Sequence, residues 1–179
     1  MGVPLQWGRL QITERVTGFD KKRTYDNVRI STVQLDLPEH VFETEGLWFI
    51  IDKSAQETIE SLKFDIGGTL HAVEHALIAC MPLFSLCDRG DIGGLSHTGF
   101  PAFGLPAIFV YDGHEGGVGL SRRAYDIFEE LLATTLKVLD DCPCSNGCPS
   151  CTQDPQCGNR NEPLDKKGAQ FLIRRWLET

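Results

Sequence analysis

The chain has 179 residues, 41% of them hydrophobic, and carries a formal charge of −8. That length makes one domain with at most a small appendage, large enough to bury a core without disulfide staples. The acidic balance excludes a surface built as a whole to grip a polyanion. No apolar run reaches the ~18 residues that a membrane span needs; the longest, "HALIACMPLFSLC", contains Pro82. The opening "MGVPLQWGRL" lacks the apolar stretch of a secretory signal. The expected compartment is therefore the reducing cytoplasm, where disulfides are rare.

Residues 7–20 and 27–37 alternate in part between apolar and polar side chains and read as strands, joined by the turn-forming "RTYDN". "GLWFIID" (46–52) is a third strand, so residues 1–53 are expected to form a small antiparallel β-subdomain. The period then changes: Leu70, Val73, Leu77, Ile78 and Met81 share one helical face, which predicts a helix over 66–87. "LPAIFVYD" (105–112) has the continuous apolar character of a buried strand. Residues 117–141 predict one long amphipathic helix with Leu120, Ala124, Ile127, Phe128, Leu131, Leu132 and Leu139 on its inner side. Asp165 is placed to cap a last helix over 166–178, with Phe171, Leu172 and Trp176 turned inward. The expected fold is α+β (mixed α/β). The β-rich subdomain of 1–53 is followed by a unit over 54–179 with a strand–helix core, a cysteine knot and a C-terminal helix.

Five of the seven cysteines fall in "CPCSNGCPSCTQDPQC", residues 142–157. Cys142 and Cys144 are too close along the chain to pair comfortably with each other. A tight group of thiols suits Zn²⁺, which takes four thiolates in a tetrahedron. The interspersed Gly, Pro and Ser supply the sharp turns that let ligands converge. Cys148 and Cys151 belong to this site, and two of Cys142, Cys144 and Cys157 complete it. A redox C-x-x-C pair would open a helix in a thioredoxin-like pattern, whereas this one lies in a loop. Plain buried thiols are another rival reading, and an iron–sulfur cluster is one on ligand type alone. The zinc site reads as closed and structural, one ion per chain. Cys80 and Cys87 lie in the apolar helical run and read as core residues.

"YDGHEGGVGLSRRAYD" (111–126) takes a buried strand through a glycine-rich turn into a helix. Such a turn can cradle an anion on backbone N–H groups, yet neither G-x-x-x-x-G-K-[ST] nor G-x-G-x-x-G is present. Asp112, His114 and Glu115, with Asp91, form a candidate metal set for nuclease or phosphotransfer chemistry. The competing reading has the glycines allowing close packing and the acids capping the helix. His71 and His75 stand at i, i+4 and are in reach of one metal, but Glu74 is not at the H-E-x-x-H position; the competing reading is structural. Arg122, Arg123, Arg160, Lys166 and Lys167 concentrate positive charge toward the C-terminal half and are candidate DNA-phosphate contacts.

"DIGG", "IFVYDGHEGGVGLSRRAYD" and "CPCSNGCPSCTQDPQCGNRNEPLDK" resemble the C-terminal zinc-binding domain of MrfA-type helicases. These are superfamily 2 DEAD/DEAH-box DNA helicases related to the Hrq group. "WGRLQITERVTGFDKK" and "LDLPEHVFETEGLWFIID" resemble the region just before that domain, so the likeness runs from about residue 5 to 178. The resemblance implies ATP-dependent 3′-to-5′ unwinding and a role in DNA repair for the parent protein. It also implies a zinc site drawn from Cys142, Cys144, Cys148, Cys151 and Cys157. This chain has no P-loop and no DExH box. It is therefore expected to be a C-terminal fragment that neither hydrolyses ATP nor unwinds DNA alone. ATP and Mg²⁺ belong to the parent helicase, and the partners are its RecA-like motor domains and DNA, with no membrane. The readings from other classes are a metal-dependent nuclease and a protein-interaction platform.

Overall fold

The computed structural model describes residues 4–178. Its main sheet has four antiparallel strands in the order β1 (Leu5–Glu14), β4 (His40–Ile50), β6 (Leu105–Asp112), β5 (Ile92–Phe100). The sheet thus takes two strands from either side of position 53, and Leu47 and Phe49 of β4 pair with Val110 and Ile108 of β6. Between β1 and β4 a separate hairpin, β2 (Gly18–Lys22) and β3 (Arg29–Gln34), stands off the sheet. The expected strand over 7–20 therefore breaks into β1 and β2. The expected third strand starts earlier than residue 46, because "HVFETE" alternates in burial as well.

Leu47 and Phe49 face the helices. Phe49 is fully buried and packs on Phe128 (ring centroids 5.4 Å apart) and Trp176 (5.0 Å). Against this face lie α1 (Lys53–Ser61), α2 (Ile66–Cys80), α3 (Leu120–Asp126), α4 (Phe128–Asp141) and α5 (Lys166–Leu177). The run expected as one helix over 66–87 stops at Cys80. Pro82 sits at the start of a short 3-10 turn, Met81–Leu83, where it cannot donate the N–H that would continue an α-helix. The run expected over 117–141 is two helices, broken at Ile127, whose φ of −113° and ψ of 21° leave the helical region.

The pattern of α2 implied one buried face, but from Gly68 to Cys80 only Ala79 is exposed. The helix is layered between β5 and β6 on one side and α4 and α5 on the other. A helix enclosed in this way is buried all round rather than along one stripe.

Aspartates start three of the helices. Asp52 accepts from Ala55 N–H at 2.7 Å, Asp65 from Gly68 N–H, and Asp165 from Gly168 N–H at 2.9 Å. The caps of α2 and α5 also bind each other. Asp65 N–H donates to the Asp165 carboxylate at 3.0 Å, and Asp165 N–H donates to the Gly68 carbonyl at 2.9 Å. This crossing leaves no room for a side chain at residue 168, where a Cβ would stand 1.9 Å from Thr69 Oγ1 and 3.1 Å from Thr69 Cβ. In an open helix, Gly to Ala stabilises by about 1 kcal/mol. Here we expect Gly168→Ala to do the opposite, lowering stability by about 1–3 kcal/mol as overpacked sites do. Urea unfolding of the two chains measures the sign.

Candidate metal centre

The cysteine-rich segment leaves α4 at Asp141 and returns to a helix only at Lys166. Its backbone is irregular, so its carbonyls and N–H groups need partners from elsewhere. Cys151, Thr152 and Gln153 all donate their N–H groups to the Cys148 carbonyl, each at 3.0 Å, closing a tight knuckle. Gly147 has a φ of +98°, which suits glycine at this turn.

The knuckle brings four sulfurs together. Neighbouring Sγ atoms lie 3.6 Å (Cys142–Cys144), 3.5 Å (Cys142–Cys148), 3.4 Å (Cys144–Cys151) and 3.8 Å (Cys148–Cys151) apart, and all four are within 4.8 Å of one another. A tetrahedron with metal–sulfur bonds of about 2.3 Å has edges of about 3.8 Å, so the donor set fits one zinc ion. Cys151 is buried against the hydrophobic core and the other three pack at its margin. Burial pushes the Cys144 thiol up, but hydrogen bonds from Cys151, Cys142 and Cys148 outweigh this and bring it down to about 7. Cys151 is pushed up to about 12, by burial first and by its neighbour Cys144 as well. A metal taking all four sulfurs must therefore displace protons.

Cys157, the fifth candidate, is not among these four. Its Sγ lies 3.3 Å from Nε2 of His71 and accepts the Asn161 N–H at 3.3 Å. Along the chain Cys157 is close to Cys151. The turns at 154–157, anchored by Asp154 accepting the Gln156 N–H at 2.7 Å, carry its side chain toward α2 instead.

Lys166 is also placed differently from its expected role at a DNA-contacting surface. It is only 4% exposed, and its ammonium donates to the carbonyls of Cys142 (2.6 Å) and Cys144 (2.9 Å), 3.5 Å from Cys144 Sγ. A buried ammonium needs acceptors on every side, and this one serves the cysteine segment. The other four cations are more accessible. Arg123 and Lys167 are exposed. Arg122 lies over the Trp7 ring, 4.8 Å from its centroid, and pairs with Asp126 at 3.2 Å. Arg160 pairs with Asp20 of the β2–β3 hairpin at 2.9 Å.

The glycine-rich turn does cradle an anion, and that anion is the chain's own Asp112. This fully buried carboxylate accepts N–H groups from Val118 (2.6 Å), Gly119 (2.6 Å), Leu120 (3.2 Å) and Ser121 (2.6 Å). Gly116, Gly117 and Gly119 take positive φ to bend the loop around it. The Asp112 carboxylate, with both oxygens engaged, is a structural anchor rather than a metal ligand. Asp91 instead meets His114 Nε2 at 2.8 Å, and that hydrogen bond holds Asp91 below the usual carboxylate range. Glu115 is exposed. Among the described residues, Asp91, Asp112, His114 and Glu115 do not converge as a metal set.

The arrangement has known counterparts. Residues 73–152 match the family model described as the MrfA Zn-binding domain. The uncharacterized protein MJ1572.1 of Methanocaldococcus jannaschii is 40% identical over 111 residues, which cover 60% of this chain and 99% of that protein. The ATP-dependent helicase HRQ1 of Saccharomyces cerevisiae is 27% identical over 181 residues, 96% of this chain but 17% of the helicase. The crystal structure of the DUF1998 helicase MrfA bound to DNA superposes with a TM-score of 0.62 at 25% identity, covering 97% of this chain and 22% of that one. The chain thus spans about a fifth of the helicases it matches. A tetrahedral nest of four cysteines on an α+β core, joined to these likenesses, makes the chain a member of the MrfA Zn-binding domain family.

Proposed function

We propose that the chain is the zinc-binding accessory domain of an ATP-dependent 3′-to-5′ DNA helicase that acts in DNA repair. In this reading one structural zinc is held by Cys142, Cys144, Cys148 and Cys151. The observation that carries it is the four-sulfur nest, with edges matching a zinc tetrathiolate. Four thiolates on a divalent ion leave a net negative centre, and the Lys166 ammonium beside Cys144 offsets it. The ion would replace the hydrophobic core that residues 142–165 lack, so its binding energy is folding energy for that segment. The path from α4 to α5 then becomes rigid and gives the RecA-like motor domains of the parent protein a firm surface. ATP and Mg²⁺ act on those motors.

Direct DNA contact is the finer part of the proposal. Arg122, Arg123, Arg160 and Lys167 are its candidates, on α3, on the loop before α5 and at the start of α5. Their exposed charges would meet phosphates without reading sequence.

Cys148→Ser and Cys151→Ser are each expected to lose one zinc per chain by elemental mass spectrometry. Amide exchange should then rise across 142–178 while β4 and β6 stay protected. Retention of as many zinc ions as the wild type in either variant sinks the ligand assignment. Placed in a full helicase carrying this domain, the same changes should reduce unwinding more than ATP hydrolysis; unwinding at the wild-type rate would contradict the accessory role. For DNA, the chain's affinity for single strands should fall linearly with log salt concentration. The double variant Arg123→Ala/Lys167→Ala should have a slope shallower by about 1–2. An unchanged slope removes these two residues from the interface.

A further inference from the structure

The nest accounts for four of five clustered thiols. Cys157 lies apart from it, against the two histidines of α2. His71 and His75 are both buried, one helical turn apart, with ring centroids 4.2 Å from each other. Their Nδ1 atoms sit 2.8 Å from the carbonyl oxygens of Pro163 and Thr152. A carbonyl only accepts, so each Nδ1 carries the proton and each Nε2 carries a lone pair. A second hydrogen bond that fixes the tautomer and aims the ring is the usual support of a metal-bound histidine.

Cys157 Sγ is 3.3 Å from His71 Nε2, and a ring nitrogen of each histidine lies with this sulfur inside a 4.8 Å span. Zinc bonded to nitrogen at about 2.0–2.1 Å and sulfur at about 2.3 Å sets tetrahedral edges of about 3.3–3.6 Å. The Asn161 N–H points its hydrogen at the same sulfur. A thiol proton shared with His71 would satisfy only that ring. Among the described residues no group donates to Nε2 of His75. The three side chains also border an open pocket of about 150 Å³, with Glu74, Arg89 and Gln156 around its wall.

We propose that His71, His75 and Cys157 form a second metal site, which takes Zn²⁺ and keeps a fourth coordination position open to this pocket. Two imidazoles and a thiolate are a borderline donor set that suits zinc over magnesium or calcium. Three protein ligands with one position left for water distinguish the site from the closed tetrathiolate. The ion would pin residues 152–163 to α2. Every cysteine of the cluster would then be a ligand, four to one ion and one to the other.

Loaded with excess zinc and then dialysed, the chain is expected to retain two ions. Cys157→Ser should retain one, and so should His71→Gln. Co²⁺ replacement separates the sites. Wild type should show a strong tetrathiolate spectrum plus a second species with weaker sulfur-to-metal charge transfer, and the two variants should show only the first. Cys148→Ser acts on the other ion, so failure of the tetrathiolate assignment is distinguishable from failure of this one. One zinc in both wild type and Cys157→Ser, with the tetrathiolate Co²⁺ spectrum unchanged between them, overturns the second site. Two ions retained by both Cys157→Ser and His71→Gln overturn it equally.

Discussion

An irregular backbone needs hydrogen-bond partners, and in this protein a buried helix supplies them. Between α4 and α5 the chain makes neither helix nor strand; Cys151, Thr152 and Asp154 are buried against the rest of the protein while most of the turns between are exposed. α2 meets the segment's backbone at three points: His71 at the Pro163 carbonyl, His75 at the Thr152 carbonyl, and the Gly68 carbonyl at the Asp165 N–H. Lys166 holds the opposite end through the carbonyls of Cys142 and Cys144. Were α2 only half-buried, its histidines would face water and the segment would lose its acceptors' partners. Enclosure of α2 between sheet and helices is the condition for the whole cysteine region.

The sheet side follows the same economy of buried polar groups. Asp112 ends β6 inside the protein and would be costly there unpaired. Four backbone N–H groups from the following turn and the start of α3 remove that cost and fix where α3 begins. Thr44 on the neighbouring strand donates to the carbonyls of Asp112 (2.8 Å) and, from the same hydroxyl, His114 (2.9 Å), so β4 shares in holding the turn. Nearby, Glu74 of α2 is pushed up to about 7 by burial, against the hydrogen bond it makes with Ser96. The polar interior is concentrated around α2 and its neighbours, while Phe49, Phe128 and Trp176 form an apolar end.

Part of the chain's positive charge is engaged within the molecule. The chain is acidic overall, and some of its cations are engaged internally: Lys166 by carbonyls, and Arg89 by Asp154 and the Ile92 carbonyl. Cations used in this way stabilise loops rather than attract a polyanion at long range. Among the described residues no helix is long and apolar enough to cross a membrane.

Local spacing carried much of this into the sequence. The thiol cluster with its Gly, Pro and Ser turns announced a metal nest, because ligands a few residues apart can converge through tight turns alone. Asp165 ahead of "KKGAQFL" announced a capped helix, since the cap bond reaches only three residues on. The motif pattern pointed to the family. Tertiary structure decided the rest. Cys157 is within the thiol cluster by number, but its partner is His71, 86 residues away. Lys166 looks like a surface cation, yet the carbonyls it binds become neighbours only when the segment folds back on α5. Asp112 reads as a possible ligand until the loop wraps its N–H groups around the carboxylate. In each case the side chain's chemistry is written in its type, while its partner is chosen by contacts between distant segments, which no local period or spacing encodes.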